Sequence, residues 1–340
     1  MTSLLQVLLG LVWRVWTRFP ARFRRRVYLF VARRWGTRTG SGVSSVRRLP
    51  FNLALKSTFD RPSEIETKNM QFIRKKTSVP VPRVFDHISP GKEGGGLILM
   101  SWVDGENLLA WLNRHISWPP EMQPNLDILL NSTSREETAL AVAHLDPIYP
   151  TLEVADNHPL LTDLRTVLTQ IRAMPPPETG AICGVDGGPL IWAHCCDRTI
   201  LPPVESIASF HDLLLQKVHW KSRLDRIRLI ALPVHSKKHR ICFTHSDLNP
   251  SNIVVKDDRL AALIDWEFSG WYPEYWEYTQ LEMQNLHIKK LNVFWERVGF
   301  FTGQYEGELR LERALWHSTG DMSVAPGVIP GDPLDQPVDA

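Results

Sequence analysis

The chain reads as an α+β fold, with a small β-rich unit ahead of a longer, mainly helical one. Three observations carry that reading. Residues 43–103 run in the order hairpin, helix, strand. Residues 104–317 mix helical stretches with Pro-rich breaks and hold only two short apolar strands, around a polar loop. Hydrophobic residues make up 43% and charged residues 22% of 340 positions. That is ordinary globular composition, which excludes a disordered chain or a disulfide scaffold and allows one large or two ordinary domains.

The first 36 residues form a basic leader. Leu4 to Trp13 are almost wholly apolar and Arg14 ends the run, which is too short to span a membrane. The run lacks a basic start and a small-residue cleavage site, so no secretory signal is expected. On a helical wheel Arg14, Arg18, Arg22, Arg25, Arg26 and Arg33 share one arc, and Val12, Trp16, Phe19, Phe23, Val27 and Phe30 face the other way. That pattern predicts an amphipathic helix with a basic face. Pro20 would break its hydrogen bonding, so one helix and two helices meeting at Pro20 both stay open. Three roles stay open as well: mitochondrial targeting, contact of residues 1–35 with an anionic membrane surface, or packing of the leader on the small lobe.

Residues 36–45 are rich in Gly, Ser and Thr and read as a linker. Val43–Leu49 and Asn52–Lys56 read as strands around a turn at Pro50 and Phe51. Pro62 and Ser63 open a helix to about Lys76, with Glu64 and Glu66 in its first turns. Val79–Pro82 is extended, and Leu97–Met100 is an apolar strand after a glycine turn. Further on, His158–Met174 and Phe210–Leu232 predict helices. Arg240–Thr244 and Leu260–Ile264 are the two short strands, and helices resume from Glu274. The tail from Ser318 to Ala340 has the Pro, Gly and Asp content of a flexible segment. The expected layout is therefore a leader over 1–36, a small lobe over 37–103, a large lobe over 104–317 and a tail over 318–340.

Charge is unevenly divided. Residues 1–50 hold 11 of the 39 Lys and Arg and none of the 37 Asp and Glu. The remainder therefore carries 28 basic and 37 acidic groups, an acidic body that argues against a nucleic-acid partner. Four cysteines suit a reducing, intracellular compartment.

The segment Phe243–Val255 carries the chemistry. His245, Asp247 and Asn252 stand in the pattern H-x-D-x-x-x-x-N, and Asp265 follows at the end of the next apolar strand. That spacing matches a phosphotransfer site. One Asp orients or deprotonates the acceptor hydroxyl, while an Asn and a second Asp offer Mg²⁺ the hard oxygen ligands it prefers. The competing reading is a polar turn between two strands with His245 as a satisfied core group.

His245–Asn252 resembles the H-[GS]-D-[LF]-x-x-x-N loop of the aminoglycoside phosphotransferase / choline kinase-like family, and Ile264–Trp271 resembles its I-D-[WF]-E-x-x-G segment. The resemblance spans roughly residues 43–315 and is nearest to divergent fungal members. It implies a two-lobed protein-kinase-like fold, with a small β-rich N-lobe and a larger mainly helical C-lobe. It also implies use of ATP and Mg²⁺ on a small-molecule acceptor. Asp247 then matches the catalytic base, and Asn252 and Asp265 match the metal ligands. Lys56 matches the lysine at the nucleotide phosphates and Glu66 its ion-pair partner, with Glu64 as the competitor. Met100, Ser101 and Val103 would be the hinge that touches adenine through backbone. No clear G-x-G-x-x-G precedes Lys56. Gly40 and Gly42 are the nearest candidates, and Ser44 or Ser45 could cover the phosphates instead. That gap keeps a second reading open: an inactive nucleotide-binding module acting through interactions.

Two weaker patterns remain. The aromatic and acidic run Trp266–Glu277 could bind a cationic substrate through Glu267 and Glu274, but core packing is preferred. Cys195 and Cys196 are adjacent and lack zinc spacing. By the same resemblance, Ile182–Ile200 would form part of the acceptor pocket wall.

Overall fold

The computed structural model describes residues 13–38, 46–59, 62–91, 95–120, 150–194, 197–218, 221–285, 289–301 and 304–319. The candidate glycines Gly40 and Gly42, Ser44, Ser45, the pair Cys195 and Cys196, and the tail beyond residue 319 lie outside the described residues.

The small lobe is one antiparallel sheet covered on both faces. Its strands are β1 (Thr37–Arg38), β2 (Val46–Leu49), β3 (Leu53–Phe59), β4 (Val84–Ile88) and β5 (Gly96–Ser101), in the order β1-β2-β3-β5-β4. Helix α1 (Ala21–Arg34) precedes β1, and α2 (Ser63–Lys76) lies between β3 and β4. Side chains alternate across a strand. Ala54, Ile98 and Met100 therefore pack with Met70 and Ile73 of α2, while Leu55, Leu97 and Leu99 pack with Tyr28 and Ala32 of α1. The unbroken apolar run of β5 is explained by this double cover.

Pro20 separates a helical stretch over residues 13–16 from α1, so two helices meet there. The face that packs is not the one the wheel favoured. Arg24, Tyr28 and Ala32 are buried, whereas Phe19, Phe23 and Phe30 are 46%, 48% and 61% exposed. The cause is an ion pair: Arg24 meets Asp86 of β4, with the Tyr28 hydroxyl donating to the same carboxylate. Arginine is tolerated inside because its charge is matched and hydrogen-bonded there.

The chain crosses to the large lobe through Gly105. Its φ is +149°, and a Cβ there would meet the Val255 carbonyl oxygen at 2.5 Å, so only glycine fits. Next come β6 (Glu106–Asn107), α3 (Leu108–His115), β7 (Ile116–Ser117), β8 (Thr151–Leu152) and α4 (Pro159–Arg172). A hairpin follows, β9 (Leu190–His194) and β10 (Asp197–Leu201), then α5 (Ile207–Gln216) and α6 (Lys221–His235). The single helix expected over Phe210–Leu232 is thus two. Phe210 and Ile227 belong to one buried cluster around Trp192 and Trp276. In one straight helix they would lie about 26 Å apart. The rest of the lobe is β11 (Ile241–Thr244), β12 (Ile253–Lys256), β13 (Arg259–Leu263), β14 (Gly270–Pro273), α7 (Trp276–Asn285), α8 (Lys289–Val298) and α9 (Glu306–Thr319). β6, β12 and β13 form one small sheet, and β11 pairs with β14. β12 and β14 are strands that the sequence patterns did not mark.

Among the described residues no helix is long and apolar enough to cross a membrane.

Two expectations follow for stability. Arg24→Met leaves the Asp86 carboxylate buried and unpaired, so urea denaturation should show a loss of about 3–5 kcal/mol. Adding Asp86→Asn should restore part of it; a neutral single variant would contradict the anchoring role. The second concerns His211 and His235, which stack at 3.9 Å between α5 and α6. Burial pushes His211 down to about 3 and His235 to about 4, below the ordinary 6.5. The unfolded chain therefore takes up protons first as pH falls. The stability contributed by the neutral pair is fully present above about pH 6.5 and is lost as pH falls through 4. The thermal midpoint should carry this decline between pH 6.5 and 5, above the ordinary carboxylate range, where the raised carboxyls of Glu66 and Asp247 act in the opposite sense. His211→Gln with His235→Gln should flatten that decline, and an unchanged slope would count against it.

Candidate active site

The site gathers side chains from four elements. Lys56 points to the α2 face of β3 because Ala54, two residues earlier, does the same. Its ammonium lies 2.8 Å from Glu66 Oε1 of α2 and 2.7 Å from Asp265 Oδ1, 209 positions along the chain. Glu64, the other candidate partner, instead accepts from the Ser89 hydroxyl. Burial alone would push the Lys56 ammonium down; Glu66, Asp265 and Glu267 outweigh it and hold the pKa above the usual lysine range. Glu66 is itself pushed up to about 7 by burial, with Lys56 opposing. Carboxylate oxygens of Glu66, Asp265 and Glu267 all lie within 4.8 Å of one another.

The loop that carries Asp247 begins where β11 ends. Thr244 pairs with Gly270 of β14, and the next two residues turn sharply, with Ser246 at φ +64°. Both of their backbone N–H groups donate to one buried carboxylate: His245 N to Glu277 Oε2 at 2.6 Å and Ser246 N to Glu277 Oε1 at 3.0 Å. The His245 ring is a tie. Its Nδ1 accepts from the Asp247 N–H at 3.3 Å and its Nε2 donates to the Ile264 carbonyl at 3.1 Å. Burial pushes its pKa down to about 4, so near neutral pH the ring is uncharged and carries its proton on Nε2.

Asp247 is held by two amides. Asn249 Nδ2 donates to its Oδ1 at 2.8 Å, and Asn252 Nδ2 donates to its Oδ2 at 2.8 Å and to its carbonyl at 2.9 Å. Burial pushes the Asp247 carboxyl up to about 6, against those amide donors. Asn252 turns its NH₂ to Asp247, which leaves its amide oxygen as an acceptor. The Ile264 N–H donates to the Asn252 carbonyl at 3.0 Å, so the loop and the segment between β13 and Asp265 are tied by backbone. Asp265 stands at φ +64°, ψ +62°, a left-handed conformation that Asp and Asn adopt more readily than other residues with a side chain. Asn69 of α2 supports the segment beyond it, donating to the carbonyls of Trp266 at 2.7 Å and Ser269 at 3.1 Å.

Two of the three residues expected at the hinge, Met100 and Ser101, end β5. Met100 lies in the ladder opposite Ala54 and Val84. The Ser101 N–H donates to the Arg83 carbonyl at 2.8 Å, and the Ser101 hydroxyl accepts from the Arg83 N–H. Val103 follows beyond the strand, half-buried.

The donor set fits a hard divalent cation. The Asn252 amide oxygen and the Asp265 carboxylate are oxygen ligands of the required kind, and Glu66 and Glu267 add negative charge beside them. The run Trp266–Glu277 is mostly core: Trp266, Trp271, Tyr272, Tyr275 and Trp276 are buried, and Glu274 turns to Arg240 at 2.8 Å. Sequence patterns missed Glu277 and Asn69. Asn69 carried a signal, since a polar residue at Glu66 + 3 falls on the apolar stripe of α2 with Met70 and Ile73. Glu277 carried none.

The model of the family described as "Phosphotransferase enzyme family" matches residues 142–281. No curated protein matches the chain. Among solved structures, a thermostable mutant of aminoglycoside phosphotransferase APH(4)-Ia, in ternary complex with AMP-PNP and hygromycin B, is 14% identical. The match covers 85% of this chain and 90% of that one, with a TM-score of 0.50. The apo form of that mutant enzyme is 13% identical, covering 84% and 87%, also at 0.50. The macrolide 2′-phosphotransferase MphH from Brachybacterium faecium is 12% identical, covering 84% and 86%, at 0.44. The chain thus has the two-lobed, protein-kinase-like fold of the aminoglycoside phosphotransferases, and over residues 142–281 it is similar to the phosphotransferase enzyme family.

Proposed function

We propose that this protein is an ATP–Mg²⁺-dependent phosphotransferase that moves the γ-phosphoryl group to a hydroxyl of a small molecule. One observation carries the reading: Lys56, Glu66 and Asp265 meet in one ion-paired cluster, and a backbone bond from Ile264 ties the segment before Asp265 to the loop that holds Asp247 and Asn252. The enzymes of this fold noted above include one bound to both an ATP analogue and hygromycin B.

Each residue then has a task. Asp247, held still by two amides and raised toward neutrality, accepts the proton of the acceptor hydroxyl. The acceptor oxygen bonds to the γ-phosphorus as the bond to the bridging oxygen breaks, and ADP leaves. Asn252 and Asp265 would hold Mg²⁺, which when bound neutralises charge on the phosphate oxygens. Lys56 reaches the phosphates, and Glu66 keeps its ammonium in place. The shared cluster of Lys56 and Asp265 suits a resting site in which each charge covers the other until nucleotide and metal replace it.

Incubation with ATP, Mg²⁺ and a cell metabolite extract, followed by mass spectrometry for a phosphoryl gain, identifies the acceptor. Asp247→Asn should still show a thermal shift with ATP and Mg²⁺ but lose turnover by at least about 10²-fold. Equal trace ATP hydrolysis by wild type and variant, with no phosphorylated product, would favour the inactive nucleotide-binding module instead. Glu277→Gln replaces one of the two accepting oxygens with an NH₂, so one of the two backbone N–H donors is left facing another donor. It should cost about 1–3 kcal/mol of stability and lower kcat more than it raises the KM for ATP. An unaltered kcat would show that the carboxylate does not position the loop.

A further inference from the structure

We propose that the face of the small lobe built by α1 and the β2–β3 turn docks onto the surface of an anionic lipid bilayer. Four zones succeed one another around α1 at 100° per residue. Arg24, Tyr28 and Ala32 are buried on the sheet. Val27 and Val31 come next and line a cleft of about 600 Å³ with almost wholly apolar walls, shared with Trp16, Trp35 and Phe51. Phe23 and Phe30 follow, both exposed. The exposed Arg26, Arg33 and Arg22 complete the turn.

The exposed rings are continuous with the cleft. Trp16 meets Phe19 at 5.7 Å and Phe23 at 6.0 Å, and Phe30 meets Trp35 edge-on at 5.8 Å. Phe51, at the tip of the β2–β3 turn, is 94% exposed. Six of the nine exposed large hydrophobic side chains among the described residues fall between Val15 and Phe51, a concentration that marks an interaction surface.

Charge selects the partner. The first 59 residues contain no Asp or Glu. Apolar rings flanked by arginines match a bilayer interface, where rings sit at headgroup depth and guanidinium groups meet lipid phosphates. A second copy of the chain is a poorer occupant, since a two-fold pairing would bring the arginine rows together. The face lies on the opposite side of the sheet from Lys56, because Leu55, Leu97 and Leu99 point to α1 while Ala54 and Met100 point to α2. Docking would leave the cleft between the lobes open.

The test is flotation of the intact protein with vesicles of phosphatidylcholine alone or mixed with phosphatidylserine. Binding to the mixed vesicles should exceed binding to the neutral ones by about tenfold or more at low salt and fall as salt is added. Arg26→Glu with Arg33→Glu should remove the preference for phosphatidylserine. Phe51→Asn should weaken binding severalfold at an unchanged thermal midpoint, because Phe51 stands at φ +61°, where asparagine is the easier residue. Equal binding to both vesicle types, no binding, or full binding by both variants overturns the proposal. So does loss of binding on Leu8→Glu alone, which would assign the contact to the apolar run before Trp13. A dimer that Phe51→Asn dissociates, or duplex DNA outcompeting the vesicles, would likewise place another occupant on this face.

Discussion

The ammonium of Lys56 is the constraint on which the two lobes agree. It is 7% exposed, and a buried charge of that kind survives only if paired. Its partners come from α2 of its own lobe and from Asp265 of the other. Three carboxylates, Glu66, Asp265 and Glu267, surround this one cation. The excess of negative charge suits a further cation at the same place. The sheet pleat makes the arrangement possible: had Lys56 been one position earlier or later, it would face α1 and the outer apolar layer.

The loop that carries Asp247 is held differently, through its backbone. Glu277 takes two successive N–H groups that no strand can use, because the chain turns at Ser246. His245 then joins the loop to the strand before Asp265, using both ring nitrogens in neutral form. Neutrality matters there. A protonated ring could not accept from the Asp247 N–H, and burial pushes its pKa far enough down to prevent protonation at ordinary pH. Asp247 therefore has its main chain fixed by His245 and its carboxylate fixed by Asn249 and Asn252. Positioning of this kind is most of what phosphoryl transfer asks of a protein.

The parts of this arrangement that were legible in the sequence are those with fixed local spacing. His245, Asp247 and Asn252 lie on one loop, and Asp265 follows two residues beyond the end of β13, the apolar strand that was expected to end on it. Lys56 and Glu66 were legible through the family resemblance, as a strand and the next helix, although β3 runs on to Phe59 and Lys56 stands in mid-strand and not at its end. The supports were not, because nothing local records them. Glu277 sits 32 positions after His245 on a helix whose pattern is consistent with mere packing. The break between α5 and α6 has neither glycine nor proline to announce it within the described residues; it follows from tertiary packing around Trp192 and Trp276. β12 and β14 are four residues each, short enough to need their partners before they read as strands.

The leader shows most clearly where a wheel alone fails. Composition presents eleven arginines as one basic feature, and periodicity sorts most of them to one face. The fold divides them by partner instead. Arg24 meets a carboxylate from β4 and becomes a core residue, which fixes α1 to the sheet and completes the second cover of β5. With that stripe committed to the core, the aromatic stripe beside it must stay outside, since one helix cannot bury both against a single sheet. The exposed rings and the exposed row of arginines are thus consequences of one buried ion pair. An apolar surface left out for that reason, on a chain segment without a single acid, is disposed to meet something both apolar and anionic.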